Sequence, residues 1–511
     1  MPYVKDDPVR RGGFHMDVEN LLLSTIILPL IFAPIIYLLG RRFNWRTGWI
    51  AFAPLIISSI LLIYLSSYVI SNGAVTGIWP LAPSAGINFI LLLDGLSAPI
   101  VLTISILCTV ISIYSMPYME HRIGASSKDH GAYYALYLLY FVGMLGTALS
   151  ANLIQFYSFY ELMLVSSWAL INIWGYGDRE KIALKYFIYT HIGALSLLAG
   201  ILTTYTVFGT FDLTQIFLLS KSSSFTSSLI KWIIFAMFLG FAVKMAIVPV
   251  HTWLPDAHAE APTPISALLS PAMIGLGGYG LVRLAYLIFP EIFKQFSLAF
   301  SLLALITMIY GGVMALAQDD VKRLLAYSSI SQMGYLLFGI ASNHPMGIAG
   351  SMFQYVSHGT CKAILFMMAG AIMLQTNGLR SLRKLGGLAG KMPITAICAL
   401  IGFLGIAGTP PLNGFQSEWL IFTGAYWGAI NSGNTLGVIL TALALIGSII
   451  TAGYVLWAIR RIFFGPTPEH LDGVVEAPYT VTVPMLILAF ITVLLGIYPK
   501  PITDLLSLIF G

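Results

Sequence analysis

Apolar residues in this chain follow neither the alternation of a strand nor the one-faced periodicity of a surface helix. They come as long runs, and a helix of about 17–25 apolar residues is what it takes to cross a bilayer. About fourteen runs can be read, near 19–40, 48–70, 89–115, 132–150, 152–173, 184–208, 230–250, 265–288, 297–318, 323–341, 346–375, 391–425, 434–461 and 479–507. The pattern predicts an all-α, polytopic membrane protein whose seventh and twelfth helices are broken. The seventh run meets Pro249 and Pro255, and Pro262 and Pro264 follow, so backbone donors are lost and the residues before each proline are pushed to extended conformation. Irregular backbone at membrane depth is tolerated only where it is packed in protein or lines a watery cavity.

Composition agrees with the pattern: 58% of the 511 residues are hydrophobic and only 9% are charged, against roughly 25% charged in soluble domains. The net charge of +5 resides in loops, which argues for membrane topology and against a nucleic-acid partner. Cys108, Cys361 and Cys398 lie far apart in apolar runs and offer no iron–sulfur or disulfide spacing. No cleavable signal peptide is evident, since residues 1–18 form a polar tail with Lys5, Asp6, Asp7, Arg10 and Arg11. Lys and Arg crowd the odd-numbered loops, while the even-numbered loops hold only Lys221 and Lys294. The odd loops are therefore expected in the cytoplasm and both termini outside, in the cell membrane, although the basic tail runs against this rule.

The two interruptions, VPVHTWLP after Lys244 and GTPPLNGFQSEW before Glu418, lie five helices apart. Matching broken helices point to paired five-helix repeats with ion sites at the midplane. The expected divisions are residues 1–18 (tail), 19–131 (helices one to three), 132–288 (first repeat), 297–461 (second repeat) and 479–511 (helix fourteen).

Ionisable groups inside a membrane are costly and mark function by default. Glu161 lies near the middle of helix five and is expected to pair with Lys244, so that moving the carboxylate would load or release a proton. His358 and Lys362 are four residues apart, on one face of helix eleven, where the imidazole would relay a proton to the amine. Glu418, just past the second break, would be the terminal site. Lys185 either faces Glu161 or snorkels to the surface, and His191 sits deeper on the same helix. His251, Asp256, His258 and Glu260 are read as lining the break rather than as metal ligands. Asp94 reads as a helix cap, and Arg283 and Lys231 read as interfacial.

The runs FYELMLVSSWALI, LKYFIYTHIGALSLL, KMAIVPVHTWLPDAHAEAPTPISALLS, DDVKRLLAYSSISQMGY, HGTCKAILFMMAG and GTPPLNGFQSEW occur in this order between residues 90 and 460. Here the chain resembles the antiporter-like subunits of respiratory complex I, multi-subunit Mrp Na+/H+ antiporters and energy-converting membrane-bound hydrogenases. The resemblance implies inverted five-helix repeats, a half-channel in each, and a hydrated polar axis through Glu161, Lys244, His358, Lys362 and Glu418. It also implies neighbouring membrane subunits as partners, H+ or Na+ as the transported ion, and no redox cofactor, metal or active site within this chain, whose parent complex would be a redox-driven ion pump. Glu418 and the chain's size match the M-type or MrpD-type subunit. One departure is Gly275, where many members carry a lysine or histidine; water with Ser270 or Tyr279 would then complete the central link. The rival readings are a self-sufficient Na+/H+ antiporter, a structural subunit with a silent path, and a haem- or quinone-binding redox protein relying on His191 and His358.

Overall fold

The computed structural model describes residues 18–82, 87–125, 129–222 and 227–511. In chain order the helices are α1 (Val18–Phe43), α2 (Thr47–Asn72), α3 (Ser97–Ile123), α4 (Asp129–Leu149), α5 (Leu153–Trp174), α6 (Arg179–Phe208), α7 (Leu213–Ser222) and α8 (Ser227–Lys244). The middle of the chain is more broken, with α9 (Leu254–Glu260), α10 (Thr263–Leu268), α11 (Leu276–Leu281) and α12 (Pro290–Phe293). Then come α13 (Ser297–Leu316), α14 (Val321–Ala341), α15 (Pro345–Gln375), α16 (Pro393–Ile406), α17 (Asn413–Asn431), α18 (Thr435–Phe463), α19 (Tyr479–Ile497) and α20 (Lys500–Phe510). Among the described residues eleven helical stretches are long and apolar enough to cross a membrane. This is an integral, multi-pass membrane protein. α5 and α17, which carry Glu161 and Glu418, are not among the eleven.

Most of the span from Thr263 to Tyr286 and of helix α15 is buried, with α3, α4 and α14 nearly so. They form the centre of the bundle. α1, α2, α6, α13 and α18 turn Ile31, Ile60, Ile192, Ile306 and Ile449 outward, the surface expected of helices that meet lipid. Neighbouring helices approach closely through small residues. A Cβ on Gly311 would lie 2.5 Å from the Ser331 nitrogen, and one on Gly334 2.7 Å from that of Met308, so glycine lets α13 and α14 touch backbone to backbone.

Three elements depart from the pattern-based expectation. Residues 89–96 do not begin helix three: Ile87–Leu93 (β2) pairs antiparallel with Val75–Ala82 (β1). The helix starts only at Ser97, because the Asp94 carboxylate accepts the Leu96 and Ser97 amides at 3.1 and 2.9 Å and turns the chain there. The stretch expected as a continuous eighth helix is α10, a π-turn over Leu269–Met273, α11 and a second π-turn over Val282–Tyr286. The expected helix fourteen is two helices, since Tyr498 before Pro499 leaves the helical conformation and α20 starts afresh. α20 folds back under the bundle, its Leu505 carbonyl so near Gly95 that an added Cβ would lie 2.2 Å from it.

Candidate ion-translocation site

The two expected breaks are present. α8 ends at Lys244, Ala246 takes φ +54°, and Val248–Pro249 is cis. The Trp253 indole donates to the Val243 carbonyl at 2.9 Å, and the Val248 amide donates to Thr307 Oγ1 at 3.2 Å, so part of the freed backbone is satisfied inside the protein. Between α16 and α17, Gly408 has φ +64° and Pro410–Pro411 is cis. A Cβ on Gly408 would lie 2.7 Å from a Glu418 carboxylate oxygen, so glycine opens the break to that side chain.

Lys244 is buried, and its ammonium has no hydrogen-bond partner among the described residues. It sits over the Tyr160 ring, 4.7 Å from the centroid. The expected ion pair with Glu161 is absent. Glu161 acts electrostatically on Lys244, but its Oε2 lies 3.3 Å from His191 Nδ1, and its Oε1 has no hydrogen-bond partner among the described residues. Lys185, a second candidate partner of Glu161, instead holds Asp256 at 2.7 Å and the Thr252 carbonyl at 3.0 Å. Arg323 holds the other Asp256 oxygen at 3.0 Å. Asp256 therefore ties α6 and α14 together above the break. The His251 ring packs edge-on to Tyr310, 4.9 Å away.

Near the centre His258 stacks on Phe366 at 4.8 Å, and neither ring nitrogen has a hydrogen-bond partner among the described residues. Lys322, Lys362 and His358 all act on it electrostatically. His358 and Lys362 do share a face of α15 but are not bonded to each other; the lysine donates to Ser328 Oγ at 2.6 Å and to the Leu325 carbonyl at 3.0 Å. Ser270 reaches Ser329 at 2.7 Å. Tyr279 is committed elsewhere, donating to the Ala148 carbonyl at 2.6 Å and accepting from Arg283 at 3.2 Å. Gly275 is filled from across the bundle: its added Cβ would lie 2.4 Å from the Tyr355 ring, whose hydroxyl is anchored on the Ala272 carbonyl at 2.7 Å.

Beyond Lys362 the hydroxyls form a ladder. Ser328 meets the Tyr454 hydroxyl at 2.7 Å. One turn along α18, Thr451 lies 3.2 Å from the Tyr335 hydroxyl, which is 3.4 Å from Ser448; Ser448 donates to Glu418 at 3.1 Å. Gln332, Gln354 and Ser417 form a second hydrogen-bonded chain beside it.

Sequence reasoning overlooked three features. Arg283 is not interfacial: it is buried and grips Asp94 through two bonds of 2.7 and 2.6 Å. Lys322, one of the Lys and Arg residues assigned to the odd-numbered loops, lies within DDVKRLL and has no exposed surface. Its signal was positional, seven residues before Ser329 on the inward face of α14. The ladder hydroxyls carry no sequence signature, because serine and threonine in apolar helices usually bond their own backbone and a tyrosine's partner on another helix cannot be read from the chain.

With the geometry in view, comparisons with known proteins give its context. Residues 150–445 match the family described as NADH:quinone oxidoreductase/Mrp antiporter, TM, and residues 79–127 match the N-terminus of complex I chain 5. F(420)H(2) dehydrogenase subunit M of Methanosarcina mazei is 33% identical over 433 residues, covering 83% of each chain. NADH-quinone oxidoreductase subunit M of Rickettsia conorii is 34% identical over 427 residues, 83% of this chain and 82% of that one. Among solved structures, a chain of respiratory complex I from Thermus thermophilus superposes with a TM-score of 0.83 at 27% identity, covering 96% of this chain and 98% of the other.

Proposed function

Because the chain belongs to the NADH:quinone oxidoreductase/Mrp antiporter family of membrane subunits, we propose that it carries protons or sodium ions for a larger complex. Energy delivered by neighbouring subunits drives the transfer. The relatives named above are parts of a quinone oxidoreductase and of a dehydrogenase, which favours a redox-driven assembly over a self-sufficient antiporter. In this reading the chain itself performs no redox chemistry, and its part is the movement of charge.

One observation carries the reading. Lys244, His358, Lys362 and Glu418 are all buried in one apolar bundle, where packing alone would favour apolar side chains. The two breaks, each next to an ionisable group, support the reading of two inverted five-helix repeats with a half-channel in each. Both termini would face outside and the Asp256 cluster the cytoplasm. Moving one charge across 100 mV costs about 2.3 kcal/mol, a magnitude within reach of rearranging a half-buried carboxylate such as Glu161 between His191 and Lys244. Tyr355, seated where a basic group would complete the axis, favours the rival reading of a structural subunit with a silent path. The test is the Glu161→Gln, Lys244→Ala double variant in sealed vesicles containing the assembled complex. Lost gradient formation supports translocation, and an unchanged gradient leaves the silent reading.

A further inference from the structure

We infer that Lys322 is an additional proton-binding residue of the pathway, loaded from the face of the odd-numbered loops past the Tyr118–Tyr176 hydroxyl pair. The inference rests on the translocation reading above and adds an inlet at the middle of the axis.

The neighbours of Lys322 behave as surface charges do. Asp319 meets Arg383 at 3.8 Å, Asp320 meets Arg380 at 3.1 Å, and Arg323 meets Asp256 at 3.0 Å, all partly exposed. Lys322 alone turns inward. A lysine kept only for structure would snorkel to water or pair with a carboxylate. This one forms no ion pair among the described residues; it donates to the Ala261 carbonyl at 2.5 Å and more weakly to that of Ala259 at 3.4 Å, with the Tyr176 ring 5.6 Å away. Its partners are neutral, so the amine can lose its proton without stranding a carboxylate. Arg380 donates to the same Ala259 carbonyl at 2.6 Å and keeps part of the α9 terminus capped meanwhile. The charged and titratable groups acting on Lys322 from surrounding elements are Arg380, Asp320, Glu260 and His258.

On the surface side a cavity reaches the tyrosine pair, and the Tyr176 ring lies 5.6 Å from the Lys322 amine. A cavity of about 190 Å³, lined by Tyr118, His121, Arg122, Tyr176, Leu374 and Asn377 among others, lies where the ends of α3 and α15 meet the turn after α5. That volume holds several waters at about 30 Å³ each. On its wall the Tyr118 and Tyr176 hydroxyls bond to each other, and Tyr118 also reaches Thr263 Oγ1 at 2.8 Å. Burial raises the Tyr176 phenol above its ordinary value, so it stays protonated and able to donate. Arg122 lies 4.3 Å over its ring and donates to the Gly175 carbonyl at 2.7 Å, which fixes the ring in place. The step is the transfer of one proton: hydronium entering the cavity gives it up and becomes water, the Lys322 amine becomes an ammonium, and transfer to the His258 ring, whose nitrogens have no partner among the described residues, restores the amine and leaves an imidazolium.

Lys322→Arg in the assembled complex separates this role from a structural one, because arginine keeps the charge and the carbonyl contacts but does not release its proton. In sealed vesicles matched for complex content, the initial rate of gradient formation is expected to fall roughly tenfold or more. A native rate would reduce Lys322 to a cap on α9 and overturn the inference. Should that variant fail to assemble, the Tyr118→Phe, Tyr176→Phe double variant decides: a slowed gradient supports the inlet and a native one refutes it. Lys244→Ala is run alongside. A gradient that survives it as well overturns the translocation reading itself, whereas loss in Lys244→Ala with a native rate in Lys322→Arg overturns only the inlet.

Discussion

The two broken helices look alike in sequence, yet their ionisable groups live in different surroundings. Glu418 and Lys362, in the second half, are each bonded to a hydroxyl, and a ladder of side chains on α14 and α18 runs between them. In the first half, among the described residues, Lys244 makes no hydrogen bond and lies over an aromatic face, and one Glu161 oxygen has no close hydrogen-bond partner. A buried polar group left unbonded costs about 1–3 kcal/mol. Among the described residues the first site is therefore the less satisfied of the two, while the second is a continuous hydrogen-bonded chain. In the proposed translocation, one half would supply the switch and the other the conductor.

The first half must be held rigid by something other than its axis, and the Asp94–Arg283 pair does this, joining the start of α3 to the second π-turn. Arg283→Met would strand a buried carboxylate, and a loss of about 3–5 kcal/mol is expected, read as a lowered melting temperature of the detergent-solubilised protein. A smaller effect should separate the two lysines directly. Lys362→Met removes two hydrogen bonds and should cost about 1–3 kcal/mol, whereas Lys244→Met removes none and should melt at or above the native temperature. Equal losses for the two variants would erase the contrast. Gly275→Ala drives a methyl into the Tyr355 ring and should cost about 1–3 kcal/mol; it should be rescued by Tyr355→Leu if the ring is what fills the central gap. Lys185→Ala should be the mildest, within about 1 kcal/mol, because its pair with Asp256 is partly exposed and Arg323 keeps hold of the carboxylate.

Much of this was legible in the sequence. Run length revealed the membrane helices, and prolines placed both breaks, because these are local properties of the chain. The ionisable residues stood out because nothing apolar accounts for Glu161 or Lys362 within such runs. Partnership was not legible. Glu161 bonds His191 rather than Lys244, and Lys185 bonds Asp256, because helix rotation and the fold of α9 over the break decide who meets whom. The β1–β2 hairpin escaped notice because a short apolar run reads equally as helix or strand. Lys322 was hidden by its charged neighbours, and Tyr355 by the eighty residues that separate it from the glycine it covers.

The most direct measurement is the proton or sodium gradient formed by sealed vesicles carrying the assembled complex, native against Lys244→Ala. Loss of the gradient, with the complex still assembled, is the predicted result and makes the unpaired lysine the switch. A gradient of native size would contradict it, leaving the pumping to another subunit and Lys244 as an ornament of the packing.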